Sequence, residues 1–228
     1  YLPNINKKLN RRLLFEYYNG NENKISLIRF LKRKILKQPG KYHMFEKMEP
    51  KNLLRRVDWY INKYVLKNKI IKRKLKEVTM LLDTQTDGIS RTLCLKRVRE
   101  EDMVFLMKKY IKKGQVIIDC GSNIGIYPIY INQFIGEEGY ICMIEPDRRN
   151  INTLVRNSKL LTCKNNLVEG AISDKTYFGK LFESDYTNLN SLDSFNTPGK
   201  NYSSQDVQVI SIKELIKTNN HKEFEEFM

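Results

Sequence analysis

The chain has 228 residues, 41% hydrophobic and 29% charged. That is room for one full domain and an appendage, and it excludes collagen-like, disulfide-framework and wholly disordered chains. The formal net charge is +15 and lies at one end: residues 1–75 hold 21 Lys and Arg against 5 Asp and Glu, while the remainder holds 20 against 21. This asymmetry predicts two units with different physical jobs, a basic helical region over 1–76 and a near-neutral domain over 77–228.

Cys94, Cys120, Cys142 and Cys163 form no CxxC pair, and His43 and His221 stand far from them. Such spacing builds neither a disulfide framework nor a zinc site, so no metal is expected and a reducing cytosol is the natural compartment. Cys120 and Cys142 fall in strand patterns and read as buried, inert thiols. No apolar run approaches the roughly 18–20 residues that span a bilayer. The chain starts at Tyr1, so a preceding targeting peptide is left open.

In the basic third, KISLIRFLKRKILK at 24–37 sets Ile25, Ile28, Leu31, Ile35 and Leu36 against Arg29, Arg33, Lys34 and Lys37, and QPG at 38–40 ends the helix. A second helix pattern over 53–65 puts Leu53, Leu54, Val57, Tyr60, Ile61, Tyr64 and Val65 on one stripe, with Arg55, Arg56, Asn62 and Lys63 facing away. The lysine-dense stretch 67–76 follows. Residues 77–97 then carry two short β-prone runs around Thr86-Asp87-Gly88 and read as a hairpin.

From 99 the pattern alternates. A helix over 99–113 has Glu100, Glu101 and Asp102 first, Lys108, Lys109, Lys112 and Lys113 last, and Gly114 after them, matching its own dipole. Strands are expected at VIID (116–119), YICMIE (140–145) and LVEGAIS (167–173), with helices over 124–135 and 147–160 between them. Strand, helix, strand, helix, strand implies parallel pairing through right-handed crossovers. Residues 184–206 read as loop with some extended structure, and Ser211-Ile212-Lys213-Glu214 as a capping box opening a short helix.

The chemistry sits in VIIDCGSNIGIYP, 116–128. A buried strand ends in Asp119, and Gly121 and Gly125 permit a tight turn and close backbone approach. A helix then opens with free N–H groups facing that turn, which is where α/β sheets bind ligands. Glu145 closes the next strand, the place of a carboxylate that accepts from both ribose hydroxyls. A dinucleotide fingerprint needs glycine at two further positions, here Asn123 and Ile126, whereas S-adenosyl-L-methionine, which has no phosphate, does not. The residues therefore favour a methyl-donor site over a nicotinamide or flavin site, with an NAD-type domain as the alternative. Tyr127 and Tyr130 read as packing residues.

The set DCGSNIG (119–125), IEPD (144–147), Asn150 and Asn157, GAISD (170–174) and VQVISIKELI (207–216) resembles the FkbM family of S-adenosylmethionine-dependent methyltransferases over about residues 77–228. The resemblance implies an α/β, Rossmann-like class I methyltransferase sheet behind the basic helical region. It also implies a cofactor on Asp119, Gly121, Ser122, Asn123 and Gly125, its ribose on Glu145 and its adenine beside Ala171. Ser122 stands where the family usually has alanine. Family members continue beyond a segment like EFEEFM into further strands, so the sheet is expected to be incomplete at the C-terminus. The general base and acceptor wall are expected past Met228, no catalytic residue is named, and the fragment by itself is expected to be inactive.

The implied reaction is methyl transfer to a hydroxyl of a sugar or other small metabolite. The basic third permits a function of another class, a catalytically inactive module that binds polyanions. An anionic membrane surface contacted through residues 24–37 stands ahead of nucleic acid, because no nucleic-acid-reading motif accompanies the charge. The bland alternative is a solvated face on helices that pack against the domain.

Overall fold

The computed structural model describes residues 50–86, 88–97, 100–183, 190–192 and 203–218. The helix expected over 24–37, His43, His221 and the EFEEFM segment lie outside the described residues. By its internal contacts the chain divides into Tyr1–Val57 and Asp58–Met228. Of the first unit the described part is the beginning of helix α1, Pro50–Tyr60, with Pro50 at its first position where a missing N–H is harmless.

The second unit is built around strand β4, Tyr140–Glu145, all six residues of which are buried. It pairs in parallel with β3, Val116–Cys120, on one side and with β5, Lys164–Glu169, on the other. Helices α4, Ile126–Ile135, and α5, Arg148–Ser158, make the two crossovers. Ile131, Ile135 and Leu154 from these helices cover Ile141 and Met143 on one face of β4. Tyr140, Cys142 and Ile144 on the other face meet Ile210 and Leu215. A strand buried on both faces must read as a continuous apolar run, and YICMI does. The arrangement is α/β and Rossmann-like, as expected. Among the described residues β3 pairs only with β4 and forms the sheet's edge.

The third expected strand is divided. β5 ends at Glu169, and β6, Ala171–Ser173, joins a second sheet of order β6-β8-β7 with β7, Tyr177–Glu183, and β8, Ser203–Ser211. Gly170 makes the transfer: its N–H donates to Glu145 O (3.1 Å), and a Cβ there would lie 2.8 Å from Gln208 O. Only glycine admits backbone that close. Residues 203–206, in the stretch expected as loop with some extended structure, belong to β8. Half of the expected capping box forms: Ser211 Oγ accepts from Glu214 N (3.1 Å) at the start of α6, Ile212–Thr218, while Ser211 N donates to Thr176 Oγ1 (3.0 Å).

The hairpin lies elsewhere than expected. β1, Ile70–Lys74, pairs antiparallel with β2, Thr79–Asp83, while residues 89–96 form helix α2, Ile89–Lys96. Two features explain the difference. In ISRTLCLK the spacing of Ile89 and Leu93 fits helix and strand alike, and only the burial of Ser90 and Cys94 beside them marks the helix. The true turn, Lys76-Glu77, carries no glycine or asparagine to announce it, although Leu75 N donates to Val78 O (2.7 Å) across it. The boundary expected at 76/77 therefore falls inside this hairpin.

After Tyr60 the helix widens to a π-turn, Ile61–Val65, closed by Leu66 N donating to Ile61 O (2.8 Å). The wider turn rotates everything after Ile61 relative to a 3.6-residue wheel. Tyr64 and Val65, expected on the packed stripe, are exposed and Asn62 is buried instead; Trp59, ahead of the turn, is buried as well. Asn62 is satisfied there, donating to Asp58 O and Oδ1 and accepting from Asn68. Helix α3, Glu101–Tyr110, is shorter than expected, with extended backbone at Ile111.

Asn157 holds the hairpin to the parallel sheet. Its Nδ2 donates to Leu81 O (2.9 Å) and Ile124 O (2.7 Å), and its Oδ1 accepts from Leu81 N (2.8 Å). Asn157→Ala strands three backbone groups, so it should lower stability by about 3 kcal/mol. Urea denaturation measures this, and a loss under about 1 kcal/mol would show that the groups find other partners.

Candidate cofactor site

The turn after β3 follows from its residue types. Gly121 (φ +79°), Asn123 (φ +51°) and Gly125 (φ +88°) take the left-handed conformation that glycine, and next best asparagine, tolerate. Each intervening N–H is used inside the chain. Gly121 N and Ser122 N both donate to Ile144 O (2.8 and 2.9 Å), and Gly125 N donates to Ser122 O (2.8 Å). Asn123 N donates to Glu145 Oε2 (2.6 Å), and Ile124 N to Asn123 Oδ1 (2.9 Å). Five consecutive amides, 121–125, are thus consumed in forming the turn.

Glu145 is the fixed point. Its Oε1 accepts from Asp147 N (2.9 Å) and Asn150 Nδ2 (3.1 Å), and its Oε2 from Asn123 N. A carboxylate has about four acceptor positions, so these bonds leave one on Oε2. Burial pushes the Glu145 carboxyl up from its ordinary range, while the bonds from Asn150, Asp147 and Asn123 oppose the rise. Asp147 then opens α5: its Oδ1 accepts from Arg149 N (2.8 Å), and its Oδ2 binds the Arg149 guanidinium (2.9 Å) and Asn190 Nδ2 (2.8 Å).

Above the turn lies an open cleft of about 290 Å³, lined by Gly121, Ser122, Asn123 and Glu145 together with Ile89, Glu100, Ile126, Tyr127, Pro146, Leu181 and Asn190. Four of the seven expected site residues therefore share one cavity. Gly125 instead starts α4 and sits against Leu154 and Asn157. Ala171 is buried with Leu181, Val207 and Val209, and of these it is Leu181 that reaches the cleft. Asp119 lies beneath the turn; its Oδ2 is buried without a hydrogen-bond partner among the described residues, and burial pushes its carboxyl up.

Tyr130 is core, and Tyr127 packs against the core as expected while also lining the cleft. Cys142 is buried, with its thiol pushed up to about 11 by burial first and by the Cys120 thiol second. Cys120, expected to be buried, is exposed at the end of the edge strand. Ile89, Glu100, Leu181 and Asn190 went unseen because they reach the cleft from segments far away in sequence and belong to no short motif. Among the described residues no group of His, Cys, Asp and Glu could hold a metal ion.

An acid whose value is raised on folding holds its proton in the folded state over a pH window in which the unfolded chain releases it. Stability then falls as pH rises from about 4, the ordinary carboxylate value, through the raised one. Asp119→Asn removes this term for Asp119. Its stability relative to the parent chain should therefore grow with pH across that window, as urea denaturation at a series of pH values would record. A difference independent of pH would mean that Asp119 is not raised.

The chain matches no family model and no curated protein. Two solved structures are similar to parts of it. One, from Clostridium thermocellum and described as an rRNA-methylase, is 15% identical over 31% of this chain and 39% of its own, with a TM-score of 0.29. The other is the Pyrococcus abyssi tRNA (uracil-54, C5)-methyltransferase in complex with S-adenosyl-L-homocysteine, 13% identical over 47% of this chain and 28% of its own, with a TM-score of 0.32. The chain thus spans well under half the length of either, and a likeness at this level assigns it neither family nor substrate.

Proposed function

We propose that this chain is the cofactor-binding part of an S-adenosyl-L-methionine-dependent methyltransferase of the FkbM type that methylates a hydroxyl on a sugar or other small metabolite. The observation that carries the choice of cofactor is the use of all five amides from Gly121 to Gly125 within the turn. A dinucleotide's pyrophosphate is bound by free amides of the turn together with those of the helix N-terminus, and here the turn contributes none. The cleft wall also carries Glu100, whose carboxylate opposes a phosphate and favours a sulfonium cation, whereas Glu145 suits the ribose of either cofactor.

The residues fit that ligand. Glu145 Oε2 has one acceptor position for a ribose hydroxyl. Gly121 has nothing within 4 Å of where a Cβ would stand, so its backbone is open to the cleft. Asp119, with its unpartnered buried Oδ2, would take the amino-acid end or fix the turn, and Ser122, Asn123 and Gly125 would shape it. Ala171 would lie toward the adenine behind Leu181. Bound there, the cofactor supplies an electrophilic methyl group on sulfur. The protein's part is to align an acceptor oxygen with that methyl and keep water away, for which Ile89, Tyr127 and Leu181 provide apolar surface. The described residues contain no group to which we assign proton removal.

Calorimetry with S-adenosylmethionine and with NAD tests the reading. The parent chain should bind the first and not the second. Gly121→Val, which forces a β-branched residue to φ +79° at the cleft wall, should weaken binding at least tenfold at a cost of about 1–2 kcal/mol in stability. Binding of NAD alone would overturn the cofactor, and cofactor binding without methyl transfer to any hydroxylated acceptor would favour an inactive binding module.

A further inference from the structure

We propose that helix α3 is an interfacial helix that seats the protein on an anionic membrane surface. α3 packs through Val104 and Met107. Its other apolar side chains leave much of their surface uncovered: Phe105 is 67% exposed, Tyr110 63%, and Met103 and Leu106 42% each. A helix that is apolar beyond its core face needs something to cover it. Around its last turn and just past it stand Lys108, Lys109, Lys112 and Lys113, all exposed, with no carboxylate of a described residue in an ion pair with any of them. Lys109 Nζ lies 5.1 Å from the Tyr110 ring, so cation and aromatic already share one surface.

Three occupants from outside the chain could cover such a helix, and their requirements differ. A second copy of the chain needs about 800 Å² per partner, more than the outer face of one helix about 15 Å long offers. Nucleic acid would use the lysines and stack on the aromatics, but it gives the exposed Leu106 and Met103 nothing. An anionic bilayer surface takes both sets, apolar side chains entering the acyl boundary while lysines reach the headgroups. Among the described residues no helix is long and apolar enough to cross a membrane, so the contact is peripheral. Glu100, which precedes α3, also lines the cleft, so this seating holds the cleft near the lipid surface.

Sedimentation of the full chain with phosphatidylcholine vesicles, with and without phosphatidylglycerol, tests the proposal. Binding should require the anionic lipid and weaken with salt. The double substitution Phe105→Ser, Leu106→Ser should reduce it about tenfold, with the circular dichroism spectrum and S-adenosylmethionine affinity unchanged. Replacing all four lysines by Gln, which disturbs no apolar contact, should also reduce it and flatten the salt dependence, and provides a second test if the serine variant fails to fold. Three results would overturn the proposal. One is vesicle binding that is absent or that survives the serine pair, which would place any contact in the basic N-terminal third. The others are loss of oligonucleotide binding, rather than vesicle binding, in the serine variant, and concentration-dependent self-association of the parent chain abolished by that pair.

Discussion

The structure depends on one buried carboxylate. Glu145 ends β4, and its two side-chain oxygens gather three donors: the amide of Asn123 in the turn after β3, the amide of Asp147 at the start of α5, and the side chain of Asn150 one turn further on. Its backbone oxygen takes a fourth, Gly170 N, where the chain leaves the parallel sheet. One residue thus ties the first crossover, the second crossover and the change of sheet together. Burying a carboxylate is costly unless its lone pairs are met, and here most are. The position left over faces the cleft, so the group that fixes the turn is also the one that can greet a ligand.

Much of this core was legible because its elements are regular. β4 was read to the residue, since a strand buried on both faces shows no alternation and YICMIE has none. α4 and α5 carry a glycine and an aspartate at their starts, and the acidic end of β4 stands where the motif requires it. The role of Asn150 and Asn157 was not legible: both residues were noted, but that one holds Glu145 and the other holds the hairpin depends on contacts 5 and 76 residues apart.

The misread elements share a cause. IIKRK reads as part of a lysine-dense stretch, yet alternation puts Ile71 inward while Lys72 and Lys74 face solvent, which is how an edge strand can be both basic and folded. Residues 89–96 alternate and also repeat at i, i+4, and packing on the hairpin decides for the helix. At Gly170 the strand pattern continues, but the pairing partner changes, and partners are invisible to periodicity. The cleft walls were missed for the same reason, because they are assembled from the ends of several elements.

In the function proposed here the Glu145 carboxylate makes both the turn and the ligand site. Glu145→Gln tests it most directly, since the shape is kept while an amide donor is brought against donors already pointing at it. Urea denaturation and S-adenosylmethionine calorimetry on the same preparation should show stability lower by about 1–3 kcal/mol and affinity lower at least tenfold, the two falling together. Unchanged stability and unchanged affinity in the glutamine variant would contradict the account.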